Sequence, residues 1–309
     1  MTSVRLDWPV LSRDDWQALI DRCPRSNLFQ TWDYGNAVAA TEGHRPRRGL
    51  LYRGDRLAGF VQVFVKNRWG VAAAARIVRG PLFLAPDPSP ELVAGAIGLV
   101  KRAFPIWKRT ILQIMPEVAD GADAAAVLEA CRLTQVKSGY TTAWLDLTRD
   151  ATDLRAGLAQ NWRNQLGMAE RSDLVVDPTT SGQTRDWLLG AYERHKAETG
   201  YSGPSAELLS SLSLADLRVC RALADGSPVA GTLFIRHGRC ATYQAGWTGP
   251  QGRGAHAHNR LIWETLLALK AEGVEAVDLG GLDDANAPGV AHFKRGLGAK
   301  EVTLMGTFV

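Results

Sequence analysis

The sequence predicts an α/β protein made of two consecutive domains of one type, over residues 1–146 and 147–309. Three observations lead to this prediction. One turn-and-strand segment occurs twice, the same order of strands and helices surrounds each copy, and 309 residues are enough for two ordinary domains. A single long fold would not require such a repeat, so we expect two copies of one α/β domain.

The repeated segment begins at Gly54 in the first half and at Gly226 in the second. GDRLAG is followed by the apolar run FVQVFV, and GSPVAG is followed by TLFI. A turn at the first glycine followed by β-branched and aromatic residues predicts a hairpin in each half. The strand that enters each hairpin is RRGLLY at Arg47–Tyr52 or DLRVCRALA at Asp216–Ala224.

The elements after each hairpin also correspond. A further strand follows in each half, RIVRGPLFL or CATYQAGWT, and then a helix, ELVAGAIGLVKRAF or HNRLIWETLLALKAEG. A strand completes the series, TILQIMPE or VEAVDLGG. The second helix should pack through Ile262, Leu266 and Leu269 and end before Gly273.

The two halves differ in the segment that leads into this helix. The first half has APDPSPE, whose prolines lack N–H donors, whereas the second has the glycine-rich GPQGRGAHAH. A glycine loop at a helix start can turn its N–H groups toward a phosphate. We therefore predict that only the second half keeps a donor pocket and that the first half shapes the acceptor site. The predicted donor-binding residues are Gln251, Gly252, Arg253, Gly254, Ala255 and His256; Arg253 and Arg260 add positive charge.

The segment between the halves, TDLRAGLAQNWRNQLGMAERSDL, predicts one helix capped by Thr152 or Asp153. Its apolar stripe comprises Leu154, Leu158, Trp162, Leu166 and Ala169. The charges off the stripe suit a solvated face; alternatively, Trp162, Arg163 and Asn164 border the acceptor cleft. Trp32, Tyr34 and Arg47 are further candidates for that cleft, although most of the tryptophans are expected to be packing residues.

Composition limits the classes of protein to consider. The chain is 46% hydrophobic, yet no apolar run reaches the ~20 residues of a membrane span. The N-terminus lacks the apolar core of a signal peptide, so we expect a cytoplasmic protein with four reduced cysteines. A net charge of +4 permits an anionic partner, and nothing resembles a DNA-binding motif, so no DNA partner is expected.

Three stretches of the sequence resemble a known family. They are NLFQTWDYGNAVAATEG (Asn27–Gly43), NWRNQLGMAERSDLVV, and the closing VDLGGLDDANAPGVAHFKRGLGAK. The order of elements is similar to the GCN5-related N-acyltransferase (GNAT) fold. The doubled arrangement resembles the Fem-type peptidyltransferases, which lengthen cell-wall peptide bridges using aminoacyl-tRNA. The resemblance implies an α+β fold of two tandem GNAT-like domains, each with a mixed central sheet flanked by helices.

The resemblance also suggests where transfer takes place. In the Fem-type signature the lysine matching Lys294 lies at the transfer site, where it could polarise a carbonyl or hold a phosphate; on a short helix it could instead be a surface lysine. Asp278 is either a base or anchor for the acceptor amine or a carboxylate that fixes the following turn. Gly280, Gly281 and Phe293 complete the predicted acceptor cleft, although Phe293 is also a natural packing residue.

The donor and acceptor stay open at this stage. The chain lacks the long helical hairpin of several bridge-forming members, and QGRGAH matches the acyl-CoA pattern only partly. Aminoacyl-tRNA and acyl-CoA are thus both candidate donors, with a cell-wall precursor, small amine, amino acid or sugar as acceptor. No tightly bound cofactor is predicted, and no metal, since His256 and His258 lack an evident third ligand. A non-catalytic acyl- or nucleotide-binding module is the alternative to an enzyme.

Overall fold

A computed structural model describes residues 4–68, 71–105 and 110–309 of the chain. It divides into two compact units, Met1–Thr141 with Val302–Val309, and Thr142–Glu301. The boundary differs from the predicted 146/147 because the strand from Thr141 belongs to the second sheet. The last strand of the chain returns to the first sheet, where its backbone finds hydrogen-bond partners.

The first unit contains a mixed sheet with helices packed on it. Its strands run in the order β1-β2-β3-β4-β6-β15-β7, with β5 beside β3, and only β4 and β6 among the described pairs are parallel. The elements are β1 (Val4–Asp7), α1 (Arg13–Arg22), a 3-10 helix (Leu28–Gln30), α2 (Trp32–Glu42), β2 (Arg45–Arg53), β3 (Arg56–Arg68), β4 (Val71–Val78), β5 (Leu82–Phe83), α3 (Pro90–Ala103), β6 (Ile111–Met115), α4 (Ala122–Cys131), β7 (Gln135–Lys137) and β15 (Thr307–Phe308).

Local sequence explains the main features of this unit. Gly54 has a φ of 60° and closes the predicted hairpin between β2 and β3. The single strand predicted from RIVRGPLFL is wrong, because Arg79 has a φ of 50° and Pro81 has no N–H to continue the ladder. Ser89 accepts a hydrogen bond from the Leu92 N–H, and Pro90 opens α3, so the proline-rich segment serves as a helix start.

The second unit repeats this plan. Its sheet has the order β14-β8-β13-β12-β11-β10-β9, and β12 and β13 are parallel. The elements are β8 (Thr141–Asp146), α5 (Ala151–Gly157), α6 (Gln160–Glu170), β9 (Val175–Asp177), α7 (Gly182–Thr199), α8 (Ala206–Ser210), a 3-10 helix (Leu214–Asp216), β10 (Leu217–Ala224), β11 (Ser227–His237), β12 (Cys240–Thr248), α9 (Pro250–Gly254), α10 (Ala257–Ala271), β13 (Ala276–Leu282), α11 (Pro288–Arg295) and β14 (Lys300–Thr303).

The helix predicted between the halves is two helices, α5 and α6, separated at Leu158 and Ala159. Its cap is Asp150, which accepts from the N–H of Asp153, rather than Thr152 or Asp153. The predicted apolar stripe is correct nonetheless. All five of its residues are buried, and all but Ala169 belong to one core that includes residues of α10 and of the sheet: Leu154, Leu158, Trp162, Leu166 and Ala169.

Helix α10 and the hairpin before it agree closely with the sequence prediction. Ile262, Leu266 and Leu269 are buried on α10, which ends two residues before Gly273, a glycine with a φ of 83°. Asp225 and Gly226 both have positive φ and form the tight turn between β10 and β11. The predicted fold class, two tandem α/β domains with mixed sheets, is thus confirmed, and the four cysteines are buried and free of disulfides.

Candidate active site

The parallel strands β12 and β13 separate after their first three residues. Their pairing comprises Cys240–Ala276, Ala241–Val277 and Thr242–Asp278, after which both strands continue without pairing to each other. The opening between Tyr243–Thr248 and Leu279–Leu282 is called the notch below. A β-bulge at Gln244, which shifts the register between β11 and β12, bends β12 at this point.

The first unit has no corresponding opening in its described residues. Its parallel strands β4 and β6 stay paired as far as Val78 and Met115, where both strands end. Immediately beyond, the buried guanidinium of Arg79 makes two hydrogen bonds, of 2.5 and 2.6 Å, to the carboxylate of Glu117. This ion pair thus follows directly on the last pair of the parallel strands, whereas β12 and β13 continue unpaired beyond theirs.

Asp278 belongs to the last residue pair between β12 and β13, where the notch begins, and it is fully buried. Its Oδ1 accepts hydrogen bonds from the Thr142 hydroxyl at 2.6 Å and from the Gly280 N–H at 2.8 Å. The second bond holds Gly280 at a φ of 77°, a conformation that favours glycine. Of the two roles predicted for Asp278, this geometry favours fixing the turn over direct contact with an acceptor.

Lys294 lies on α11 and is only 6% exposed, so it is not the surface lysine that the sequence also allowed. Its ammonium donates to the carbonyl oxygen of Gly281 at 2.9 Å, and the ring centroid of Tyr243 is 6.0 Å away. Burial lowers the pKa of Lys294 to about 8, while the Asp278 carboxylate acts in the opposite direction. Lys294 therefore places a group that can gain or lose its positive charge near neutral pH beside the notch, among the predicted residues Asp278, Gly280 and Gly281.

Two residues that sequence reasoning did not assign to the site also lie here. The Tyr243 hydroxyl and Nε2 of His258 are 3.1 Å apart, and Nδ1 of His258 is 3.1 Å from the Thr248 hydroxyl. Burial of the imidazole lowers the pKa of His258 to about 4, so the ring is neutral. Burial is also the main cause that raises the pKa of the Tyr243 phenol well above its ordinary value. The proximity of HAH to a glycine loop was the only sequence signal for His258.

Phe293 connects this pair to α6. Its ring centroid lies 5.3 Å from that of His258 and 5.6 Å from that of Trp162. Gly296 permits the close approach of Trp162, since a Cβ there would lie 2.6 Å from the indole Cδ1. Trp162 is 3% exposed and its indole N–H has no partner among the described residues. Phe293 and Trp162 thus form the packed wall behind Tyr243 and His258.

The other two residues predicted with Trp162 lie elsewhere. Arg163 donates to the carbonyl oxygens of Ala156 and Leu158 at 2.7 and 2.6 Å, which closes the turn between α5 and α6. Asn164 is exposed and accepts from the Gln160 amide at 3.0 Å. Of the two alternatives, a solvated helix face or the border of the acceptor cleft, the exposed position of Asn164 fits the first, because on a helix only the residues of the buried stripe face the core.

The predicted glycine loop is wrong in its conformation, because its first part is the short helix α9. Pro250 occupies the first helical position, where its fixed φ suits a helix. The N–H groups of Arg253, Ala255 and His256 bond to carbonyls within the segment and are not free for a ligand. Gly252 is buried against β11, where a Cβ would lie 2.5 Å from the Val229 carbonyl oxygen. The exposed residues Gln251, Arg253 and Gly254 lie along this helix.

The start of α10 differs from α9 in how its first N–H groups are placed. His256 has a φ of 52° and precedes the helix without a side-chain cap bond. The N–H groups of Ala257 and His258 come before the first intrahelical bond, as at every helix start. Arg260 is not part of this surface, since its guanidinium donates to the carbonyl oxygens of Ala169 and Leu174. The positive end of the α10 dipole therefore lies at this helix start, and binding of a donor phosphate there stays a prediction.

In the first unit, the predicted acceptor residues do not form one group. The Arg48 guanidinium, not that of Arg47, stacks on Trp32, 3.5 Å from the ring centroid. Arg47 instead stacks on Trp8 at 4.3 Å. Successive side chains of a strand point to opposite faces, so Arg47 and Trp32 lie on different sides of β2. Tyr34 packs edge-on against Phe29, with ring centroids 5.1 Å apart.

Two further properties of the described residues bear on the class of protein. None of the helices in this part of the chain is both long and apolar enough to cross a bilayer. Nor do three or more His, Cys, Asp or Glu side chains come together there as a metal ion would require.

Comparison with known proteins supports the same reading of the fold. Residues 153–295 match the model of a family described as an acetyltransferase (GNAT) domain, a segment that contains the whole notch. A crystal structure of FemX aligns with a TM-score of 0.81 at 14% identity, covering 97% of this chain and 96% of that one. A search of curated proteins returned no match.

Two other solved structures share the architecture. L-PGS from Bacillus licheniformis aligns with a TM-score of 0.56 at 12% identity, over 95% of this chain and 89% of that one. A tandem GNAT protein from the clavulanic acid biosynthesis pathway aligns with a TM-score of 0.50 at 16% identity, over 98% of both chains. At such identities the likeness defines the fold.

The matched domain supports an acyltransferase, and the aligned structures show that the chain has a tandem GNAT-type fold. Its arrangement is Fem-like, as the closing motif around Lys294 predicted, and the match from residue 153 to residue 295 assigns the GNAT acetyltransferase domain to the second unit.

Proposed function

We propose that the second unit transfers an acyl or aminoacyl group from a phosphate-bearing donor to an amine, with the bond made in the notch. One observation carries this proposal: a lysine with a lowered pKa, Lys294, is buried where β12 and β13 separate. Burial of a charge costs stability, so an ammonium buried next to an opening in a sheet is expected to serve a function.

The chemistry that these groups can support is acyl transfer without a covalent intermediate. The amine attacks the donor carbonyl, and negative charge develops on the carbonyl oxygen. The ammonium of Lys294 is the donor that stabilises this charge, an effect worth about 3 kcal/mol for one well-placed group. Gly280 and Gly281 leave room for the reacting atoms beside it, because neither carries a side chain. The free N–H groups at the start of α10 bind the donor phosphate.

For the donor and acceptor, we propose aminoacyl-tRNA and an amine of a cell-wall precursor. This proposal rests on the Fem-type resemblance of the closing motif and on the similarity in fold to FemX across nearly the whole chain. L-PGS shares the same architecture. Charged tRNA and nucleotide-linked precursors are made in the cytoplasm, where we expect this enzyme to act.

A second candidate is acyl-CoA as donor, with a small amine, amino acid or amino sugar as acceptor. The matched family is described as an acetyltransferase domain, and the helix start at Ala257 suits the pyrophosphate of coenzyme A as well as a tRNA phosphate. The two candidates share the notch, Lys294 and the chemistry, and they differ in the donor and in the acceptor.

The donor can be identified by supplying both classes in parallel. The purified protein is incubated with radiolabelled aminoacyl-tRNA or with radiolabelled acetyl-CoA, each with UDP-linked peptidoglycan precursor, amino acids and amino sugars as acceptors. Label transferred from tRNA and abolished by ribonuclease supports the first candidate; label transferred from acetyl-CoA and resistant to ribonuclease supports the second. Lys294→Met is the inactive control, and Lys300→Met, at an exposed lysine of β14, is its matched active control. No transfer from either donor would reject the proposal.

A further inference from the structure

The hydroxyl of Tyr243 lies at the edge of the notch with one position free. Tyr243 is the first residue of β12 beyond the last pair with β13, and it retains partial exposure. Among the described residues, its only hydrogen-bond partner is Nε2 of His258, at 3.1 Å. A phenol can donate one hydrogen bond and accept two, so this oxygen can serve a further group in the notch.

The backbone is shaped to keep this pair together. A Cβ on Gly246 would lie 2.1 Å from the Tyr243 hydroxyl and 2.6 Å from Cε1 of His258, so any side chain there would push the pair apart. The bulge at Gln244 brings residues 243 and 246 onto the same side of the strand. Phe293 packs against the other side of the imidazole. The glycine, the bulge and the ring thus hold one tyrosine hydroxyl in place.

The tautomer of His258 decides what the hydroxyl can do. A neutral imidazole has one N–H and one acceptor nitrogen. If Nδ1 accepts from the Thr248 hydroxyl, then Nε2–H donates to Tyr243, and the phenol proton is directed away from the histidine. In the opposite tautomer, the phenol O–H donates its hydrogen bond to Nε2. The first arrangement gives the notch a proton donor that is already oriented.

We propose, building on the proposed function, that Tyr243 passes the proton of the attacking amine to the leaving atom of the donor and that His258 positions its hydroxyl. The amine lone pair forms the C–N bond, and the bond from the carbonyl carbon to the leaving ribose oxygen or thiol sulfur breaks, its electron pair staying on that atom. The Tyr243 proton moves to the leaving atom while the phenol oxygen takes a proton from the nitrogen. Tyr243 ends as it began, and the amine proton has moved to the released alcohol or thiol.

Kinetics of four variants test both roles, with the donor that the wild type uses. We expect Tyr243→Phe to lower kcat by about 100-fold with little change in KM, the scale of a lost proton transfer. His258→Leu should lose as much, and His258→Gln, whose amide can still donate to the phenol, should recover most of the rate. The double variant Tyr243→Phe with His258→Leu should be no slower than either alone, since His258 acts through Tyr243. Tyr52→Phe is the matched control, since it removes a phenol hydroxyl on β2 in the first unit.

A measurement without turnover tests the arrangement itself. Nitrogen NMR on labelled protein, with His258 assigned from the spectrum of His258→Gln, should report the neutral tautomer protonated on Nε2. Protonation on Nδ1 would overturn the proposal, as would a near wild-type kcat in Tyr243→Phe or a further loss in the double variant. These results leave the proposed function standing, whereas absence of transfer by the wild type would reject that function instead.

Discussion

The ammonium of Lys294 donates a 2.9 Å hydrogen bond to the carbonyl oxygen of Gly281. Gly281 lies on β13, in the part of the strand that no longer pairs with β12. This contact ties α11 to the bent end of β13. It also fixes the position of the only charge that we assign to the reaction, because the lysine stem is enclosed by protein. Five predictions follow from this site and from its counterpart in the first unit.

Lys294→Met should stabilise the protein at neutral pH and not at high pH. The pKa of Lys294 is about 8 in the folded state and about 10.4 in an unfolded chain. Between these two pKa values the unfolded chain binds more protons than the folded protein, so the wild type gains stability as pH rises. Below about pH 8 the lysine is charged in both states, and the full free-energy cost of burying the charge is present. The variant should be more stable by up to about 3 kcal/mol below pH 8 and equal by pH ~10.5. Urea unfolding at several pH values measures this, and a constant difference would contradict it.

Asp278→Asn should keep the fold and slow transfer by ~100-fold or more. An asparagine oxygen can still accept from Thr142 and Gly280, so the turn is retained. The carboxylate of Asp278 raises the pKa of Lys294. Without it, the pKa of Lys294 should fall further, and less of the lysine should be protonated at pH 7. Circular dichroism and steady-state rates report the two properties, and a wild-type rate would remove Asp278 from the site.

Gly280→Ala should destabilise the protein by about 1–2 kcal/mol and reduce transfer, because an alanine is strained at a φ of 77°. Its Cβ would also lie 3.5 Å from the Lys294 nitrogen, in the space we assign to the reacting atoms. Gly289→Ala is the control, since that glycine lies on α11 with nothing within 4 Å and should tolerate the change. Equal thermal stability of the two variants would show that the turn at Gly280 carries no strain.

Gly246→Ala should reproduce the kinetic loss of Tyr243→Phe while keeping both side chains present. The new methyl group would meet the phenol oxygen at 2.1 Å and must displace it from His258. We expect kcat to fall by at least ~10-fold, with a smaller effect on KM. Kinetics on the variant and the nitrogen spectrum of His258 test this together, and a normal rate with an unchanged spectrum would argue against the pair.

In the first unit, Glu117→Gln should cost about 3 kcal/mol of stability, because it leaves the buried guanidinium of Arg79 without its counter-charge. The matched change is Asp7→Asn, which breaks the exposed pair with Arg5 and should have little effect. Urea unfolding of both variants makes the comparison. Similar midpoints would mean that the Arg79–Glu117 pair does not hold the closed end of β4 and β6 together.

Much of the architecture was readable in the chain itself. Gly54 and Gly226 predict the two hairpins because a tight turn needs positive φ. The apolar stripe from Leu154 to Ala169 identifies the buried face of α5 and α6, even though the predicted helix is broken at Leu158. Lys294 was found through a motif, not through its surroundings. Sequence patterns did not show that Arg48, rather than its neighbour Arg47, stacks on Trp32, or that Pro250 starts a helix inside a glycine-rich run.

The sequence by itself determined the doubled domain plan, the order of elements and the identity of the lysine, because turns, periodicity and motifs act over short spans of chain. Only the tertiary structure decided that β12 and β13 part after Thr242, that Asp278 holds a turn, and that Tyr243 meets His258. Those relations depend on a bulge, a parallel crossover and packing between distant segments. Burial, which arises only when those segments assemble, is what lowers the pKa of Lys294 beside the notch.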